Sequence, residues 1–465
     1  MNTRTFFAPH ALLTNNWAQN VLLEWNEAGA FTRVEANQAC PLGVARAHGP
    51  IVPAMPNLHS HAFQRAMAGL AEVRGTSADS FWSWRQVMYG FANAVTPQLL
   101  EDIATWLYIE MIEAGYTSVC EFHYVHHDQS GNAYADDTEM CQALIAAAGN
   151  AGIGLTLLPV LYQSAGFAGA PPSNDQRRFI RSTDSMLRLL DRLGNTCGAN
   201  NVRLGLAPHS LRAVPPAALK EALAGLNALD ATAPIHIHIA EQRKEVDDCI
   251  AWSGASPVQW LLEHAEVNDC WCLVHATHMS DSESTRAART GAVVGLCPST
   301  EANLGDGTFK TKPWTEARGR WGVGSDSHIT VNAAAELQLL EYTQRLRSGE
   351  RNVMTTMHTS PHVATAMTLA AVPGGAQACG RDVAGLHLGQ QADWIELDTT
   401  HHALAHLPTP AHMLDAHVFA SDGKSTIGNV VRAGRVAVQR GKSLQHDAAR
   451  VRFIAARKAL LKSIS

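Results

Sequence analysis

Charge is scarce in this chain: Asp, Glu, Lys and Arg together make up 17% of its 465 residues. Beside a hydrophobic fraction of 46%, that scarcity excludes a disordered or tail-bearing protein and supplies material for a sizeable core. The net charge is -6 and no basic stripe interrupts it, which argues against nucleic acid or an anionic membrane as the main partner. No apolar run reaches membrane-spanning length, and Met1 through Asn20 lacks the basic-then-apolar order of a secretory signal. The nine cysteines, scattered from Cys40 to Cys379, form no paired framework. Cys270 and Cys272 flank Trp271 in an apolar run and read as strand packing. Reduced thiols in a soluble, cytoplasmic protein are the expectation. Two zinc signatures are missing as well. Cys297-Pro298-Ser299-Thr300 does not supply the Pro-Cys-x-x-Cys of the cytidine-deaminase type, and no His-Glu-x-x-His occurs.

What is present is alternation. Apolar β-type runs recur at Ile51 to Leu58, Thr117 to Phe122, Gly154 to Leu161, Val202 to Ala207, Ile235 to Ile239, Trp271 to His275, Ala292 to Leu296 and Trp321 to Ser325. Between them lie segments with helical spacing, such as Pro97 to Ala114, Ala217 to Leu229 and Ser256 to His264. About eight strand–helix units in series predict an α/β fold, a (β/α)₈ TIM-type barrel. The flanks differ. Residues 1 to 50 hold short mixed runs, Gly385 to Asp398 alternates like a strand, and Ile427 to Gly441 reads as a hairpin turning at Ala433-Gly434. We therefore expect residues 51 to 375 to form the barrel. Residues 1 to 50 and 376 to 465 would build a small β-sandwich from both termini, with a C-terminal helix.

The chain has 23 histidines, and several sit where barrel strands end. His59 and His61 close strand one; two apart on extended backbone, they point to the same side. His209 follows strand four, His236 and His238 lie on strand five with Glu241 just beyond, His275 ends strand six, and Asp326 ends strand eight. Side chains at that end of a barrel converge, so the set predicts one mononuclear metal site. Three imidazoles with a carboxylate suit one divalent ion, Zn²⁺ first and Fe²⁺ second. Such an ion with an open position lowers the pKa of water from about 15.7 to about 7. Glu241 is placed to shuttle the released proton, and Asp326 to bind the metal and orient the water. His236, one layer deeper, reads as core filling, and His278 as a loop residue.

With these residues the chain resembles the amidohydrolase superfamily: the His59-Ser60-His61 pair, His238 to Glu241, His275 and Asp326 all match its pattern. The bridging lysine of its two-metal members is missing from Leu204-Gly205-Leu206-Ala207-Pro208-His209, so the one-metal deaminase branch fits better. More narrowly, Met55-Pro56-Asn57-Leu58-His59-Ser60-His61-Ala62-Phe63-Gln64-Arg65-Ala66-Met67-Ala68-Gly69 and His236-Ile237-His238-Ile239-Ala240-Glu241-Gln242 look like the formimidoylglutamate deiminase family of histidine degradation. Its members hydrolyse N-formimino-L-glutamate to N-formyl-L-glutamate and ammonia. The resemblance implies metal ligands His59, His61, His238 and Asp326, with Glu241, His275 and Asp326 as catalytic groups. It implies substrate contacts at Gln64, Arg85 (in Phe81-Trp82-Ser83-Trp84-Arg85), Tyr124, His209 and Arg212, and a homodimer. Paired arginines suit a small-molecule dicarboxylate, which planar guanidinium groups hold in bidentate fashion. The segment from Arg65 to Tyr89 is expected to cover the pocket.

Two other readings stay open. A deaminase of a nucleobase or other aminated heterocycle would share the metal site but replace paired arginines with stacking and amide contacts. A catalytically dead barrel used as a scaffold would have no need of the full ligand set plus Glu241.

Overall fold

The structure, a computed structural model, describes residues 4–74, 81–355 and 360–464. Eight parallel strands form the barrel: Met55–Ser60, Tyr116–His123, Gly154–Leu161, the split fourth strand Arg203–Leu204 and Ala207–Pro208, Ile235–Ile239, Trp271–His275, Val293–Leu296 and Arg320–Val323. Strands one to four pair in series, as do five to eight. Bridges Leu206↔Ile235 and Ser60↔Asp326 join the two halves and close the ring. Gly154–Leu161 is buried along its whole length, as expected where helices cover one face of a strand and the barrel core the other. Pro97–Glu113, Pro216–Leu229 and Pro257–His264 each begin with proline at the first helical position, where the missing N–H costs nothing. Thr96 adds a cap by accepting the Leu99 N–H.

The first strand differs from expectation. Ile51–Pro53 pairs antiparallel with Trp394, Ile395 and Glu396 in the sheet of the termini, and only Met55–Ser60 joins the barrel. The switch falls on one residue: the Ala54 N–H donates to Asp393 in the terminal sheet, the Met55 N–H to Gly115 beside strand two.

The termini build one nine-stranded mixed sheet from Arg4–Leu12, Trp17–Trp25, Phe31–Glu35, Ala45–Arg46, Ile51–Pro53, Trp394–Leu397, Ile427–Arg432, Arg435–Gln439 and Lys442–Ser443. The strands of Phe31 and Trp394 stand four places apart in its order, which in a flat sheet would be about 19 Å. Their rings are 6.2 Å apart, so the sheet curls over and encloses a small core with Trp25, Phe6 and Leu23. A sandwich-like body thus arises from one continuous sheet. The hairpin turns at Ala433 (φ 48°) and Gly434 (φ 69°), both left-handed as a two-residue turn of this twist requires. A Cβ on Gly434 would lie 1.9 Å from Trp25 Nε1. The final helix, His446–Ile464, returns to the barrel and stacks Phe453 on Trp106.

Candidate active site

At the C-terminal mouth of the barrel the side chains of strands one, five, six and eight meet. His59 Nε2 lies 3.1 Å from His61 Nε2 and 2.9 Å from His238 Nε2. Asp326 Oδ1 stands 3.5 Å from His59 Nε2 and 3.3 Å from His61 Nε2. All four residues are buried. Strand one reaches this position because strand eight offers a glycine: a Cβ at Gly324 would sit 2.8 Å from the His59 nitrogen.

His61 turns a lone pair toward this centre. His61 Nδ1 donates to the Phe122 carbonyl at 2.8 Å, so its Nε2 is the unprotonated nitrogen. Burial first, then the neighbouring His275, holds His61 down to about 3 against the pull of the Phe122 carbonyl. Burial and neighbouring imidazoles also hold His59 and His238 well below the usual histidine range. One ring proton each on His59 and His238 could bridge only some of these contacts, whereas a cation standing among the four groups would satisfy all of them. Two nitrogens each about 2.0–2.1 Å from a tetrahedral zinc would be about 3.3 Å apart, close to the spacings here. His59, His61, His238 and Asp326 could therefore hold one metal ion, and overlapping triads of them, one including His275, cluster within ligand range of one another.

His275 sits beside this centre. Its Nε2 lies 3.7 Å from Glu241 Oε1 and 3.6 Å from Asp326 Oδ2, and its Nδ1 lies 3.3 Å from Glu301 Oε1. Burial opposes charge on the ring, but Glu241, Glu301 and Asp326 outweigh it and bring His275 up to about 10 in the polypeptide alone. Burial pushes Asp326 up to about 7, against the pull of His275. His275 (φ 67°), Asp326 (φ 46°) and Ala240 (φ 51°), next to Glu241, are all left-handed. Strain at non-glycine residues of this kind gathers where side chains are aimed for a task.

One cleft opens onto the centre, and every residue that the resemblance implied for substrate lines it: Gln64, Arg85, Tyr124, His209 and Arg212, beside His61, His238, Glu241, His275 and Asp326. Gln64 Nε2 donates to Tyr124 Oη at 2.9 Å. Arg212 lies close enough to Arg85 to weaken that guanidinium's hold on its proton. Burial chiefly lowers Arg85, whereas Tyr162, Glu245 and Glu241 more than offset burial at Arg212. Burial, then Arg212, keeps His209 neutral well below its usual range. Of the expected covering segment, residues 75–80 lie outside the described residues; helix Phe81–Ala94 brings Trp84, Arg85, Met88 and Tyr89 to the cleft. His236 donates from or accepts at neither centre nor cleft; its Nε2 meets the Ala378 carbonyl at 2.8 Å in the barrel interior.

Several residues escaped the sequence reading. Glu301 follows strand seven, one residue past Cys297-Pro298-Ser299-Thr300. Glu121, on strand two, accepts from Ser60 Oγ and the Ala62 N–H, both at 2.6 Å, and from Tyr108 Oη at 3.1 Å, so it pins the turn carrying His59 and His61. A carboxylate inside the apolar run from Thr117 to Phe122 was the available signal. Glu245 accepts the Glu241 N–H at 2.9 Å. Tyr162 and Phe179 complete the cleft wall.

A profile of the amidohydrolase family matches residues 51–437. The chain is 49% identical over 437 residues to the formimidoylglutamate deiminase of Pseudomonas aeruginosa, covering 94% of this chain and 95% of that one. A crystal structure of an amidohydrolase from Brucella melitensis superposes with a TM-score of 0.92 at 45% identity, covering 98% and 100% of the two chains. The crystal structure of an adenosine deaminase from Xanthomonas campestris with bound zinc superposes at 0.79 with 19% identity, covering 99% and 98%, and shares the fold. By the extent of the profile match and the identity to its relatives, the chain belongs to the amidohydrolase family.

Proposed function

We infer that the chain is a metal-dependent hydrolase that removes ammonia from N-formimino-L-glutamate, leaving N-formyl-L-glutamate, as a step in histidine degradation. The observation that carries the reading is a single cleft with three converging imidazoles and a carboxylate at its floor and two arginines, Arg85 and Arg212, in its wall. The 49% identity to a formimidoylglutamate deiminase over nearly the whole chain supports the same substrate. A nucleobase has no carboxylate for those arginines to hold, and this disfavours the heterocycle reading.

In this mechanism His59, His61, His238 and Asp326 would hold one divalent cation, Zn²⁺ ahead of Fe²⁺. The bound cation supplies the Lewis acidity that makes water nucleophilic near neutral pH. Arg85 and Arg212 take the two carboxylates in charge-assisted pairs, while Gln64, Tyr124 and His209 orient the rest of the substrate. The formimino group enters as its amidinium cation; Glu241 accepts a proton from the attacking water as its oxygen bonds to the formimino carbon, and passes that proton to the terminal nitrogen, which becomes an ammonium group. His275 Nε2 stabilises the polarised centre. Asp326 takes the remaining hydroxyl proton as the carbonyl forms, the C–N bond breaks, and ammonia leaves. Protonation of the inner nitrogen instead would yield glutamate and formamide. A cytoplasmic homodimer completes the proposal. Among the described residues no helix is long and apolar enough to cross a membrane.

The test is ammonia release from N-formimino-L-glutamate beside guanine and cytosine, with wild type and Arg85→Ala. We expect activity on the glutamate derivative alone, and a KM raised about 10- to 100-fold in the variant, the loss of one charge-assisted contact. Activity confined to a nucleobase, or an unaltered KM, would sink the substrate assignment.

A further inference from the structure

Glu301 lies in the helix Pro298–Leu304 that follows barrel strand seven. Its Oε1 accepts the Cys297 N–H at 2.9 Å and faces His275 Nδ1 at 3.3 Å. Both side chains are shielded from solvent. That oxygen is already the acceptor of the Cys297 N–H, so the ring nitrogen facing it carries the proton. The Cys297 N–H uses the same oxygen, and swinging the carboxylate away would leave that buried donor unpaired at a cost of about 1–3 kcal/mol. On the far side of the ring, Nε2 faces Glu241 and Asp326. An imidazole without a fixed partner on one nitrogen can exchange tautomers and flip about its ring axis, so the atom it presents is not defined.

We propose that Glu301 is a positioning residue for the hydrolysis: it holds His275 with Nδ1–H turned away from the cleft, so that Nε2 alone addresses the reacting centre. This rests on the reading given under Proposed function, because Glu241 and Asp326 define where that centre lies. The same residues bear on a competing use. His275, Cys297 and Glu301 also form a buried group within ligand range of one another, and a second cation there would make Nδ1 a ligand rather than a donor.

The experiment compares wild type, Glu301→Gln, Glu301→Asp and Glu301→Ala as metal-loaded proteins, with cation content measured per chain. Rates are taken on whichever substrate the wild type turns over, so failure of N-formimino-L-glutamate as a substrate stays separate from failure of this proposal. Glu301→Ala and Glu301→Asp, which lack the reach, should lose about 10- to 100-fold in kcat with KM and cation content unchanged. Glu301→Gln keeps an acceptor oxygen for both N–H groups and should recover most of that loss. Should the alanine variant fail to fold, the Asp and Gln pair carries the comparison. A kcat in the Ala or Asp variant equal to wild type would overturn the proposal. So would a Gln variant as impaired as Asp, a loss confined to KM, or a second cation per wild-type chain that disappears in Glu301→Gln.

Discussion

Two buried clusters in this molecule combine imidazole with carboxylate, and they are built on opposite logic. Around Glu113, at the end of helix Pro97–Glu113, donors match acceptors. Ser443 N–H and His446 Nδ1 donate to Oε1 at 3.0 and 2.7 Å, and Lys424 Nζ donates to Oε2 at 2.8 Å. The cluster ties the C-terminal segment to the barrel and is complete in itself. Around His59 three ring nitrogens and a carboxylate oxygen crowd one point, with more acceptors than ring protons to match them. Glu113 is 1% exposed and Asp326 5%, so depth of burial does not separate the two. What separates them is unmatched acceptors and backbone strain: Asp326 and His275 are left-handed, whereas Glu113 ends a regular helix. The first cluster ties segments of the fold together, and the second has unmet demand that a cation and a substrate would satisfy.

The comparison breaks most sharply at Asp326. Asp326→Ala removes one facing lone pair and should reduce cation content well below one per chain, with kcat falling on the order of 10³-fold or more. Burial pushes this carboxyl up to about 7, a sign that the polypeptide alone gains nothing from its charge. The cation-free variant should therefore unfold in urea at the same concentration as cation-free wild type, or a higher one. A clearly lower midpoint would place Asp326 with Glu113 among the residues that hold the fold. Glu241→Gln probes the next level. Glu241 is not among the grouped ligand atoms, so cation content and KM should hold while kcat falls about 10²- to 10⁴-fold, the usual worth of a proton-transferring group. Loss of the cation in this variant would make Glu241 a ligand.

The difference between the clusters also explains what could be read from the sequence. The mouth was legible because its parts sit at a fixed place, the ends of strands, and His59, His61, His238, Glu241, His275 and Asp326 all follow apolar runs directly. Barrel architecture turned that one-dimensional regularity into a ring of convergent groups. The Glu113 cluster was not legible: its partners come from residues 424, 443 and 446, more than 300 positions away, and no local pattern announces such a meeting. Glu121 and Glu301 fall between these cases. Each lies at or near a strand end, yet it serves by holding another residue, a role that residue type and spacing do not announce. The split of Ile51 to Leu58 between two sheets was likewise invisible, because both halves are equally apolar and only the distant strand Trp394–Leu397 decides which half pairs where.

Glu113→Gln supplies the smallest effect on activity and the complementary half of the comparison. Two of the three donors converge on Oε1, so the amide oxygen should settle there and leave its NH₂ facing the Lys424 ammonium, donor against donor. Lys424 is 39% exposed at its side chain and can turn to water, which limits the penalty to about 1–3 kcal/mol. Urea unfolding should show that loss as a lower midpoint at unchanged slope, while kcat, KM and cation content per folded molecule stay at wild-type values. A kcat that fell in step with stability would mean the C-terminal segment props the barrel mouth through helix Pro97–Glu113. The two clusters would then be one mechanical unit, and the matched cluster would belong to catalysis as much as the unmatched one.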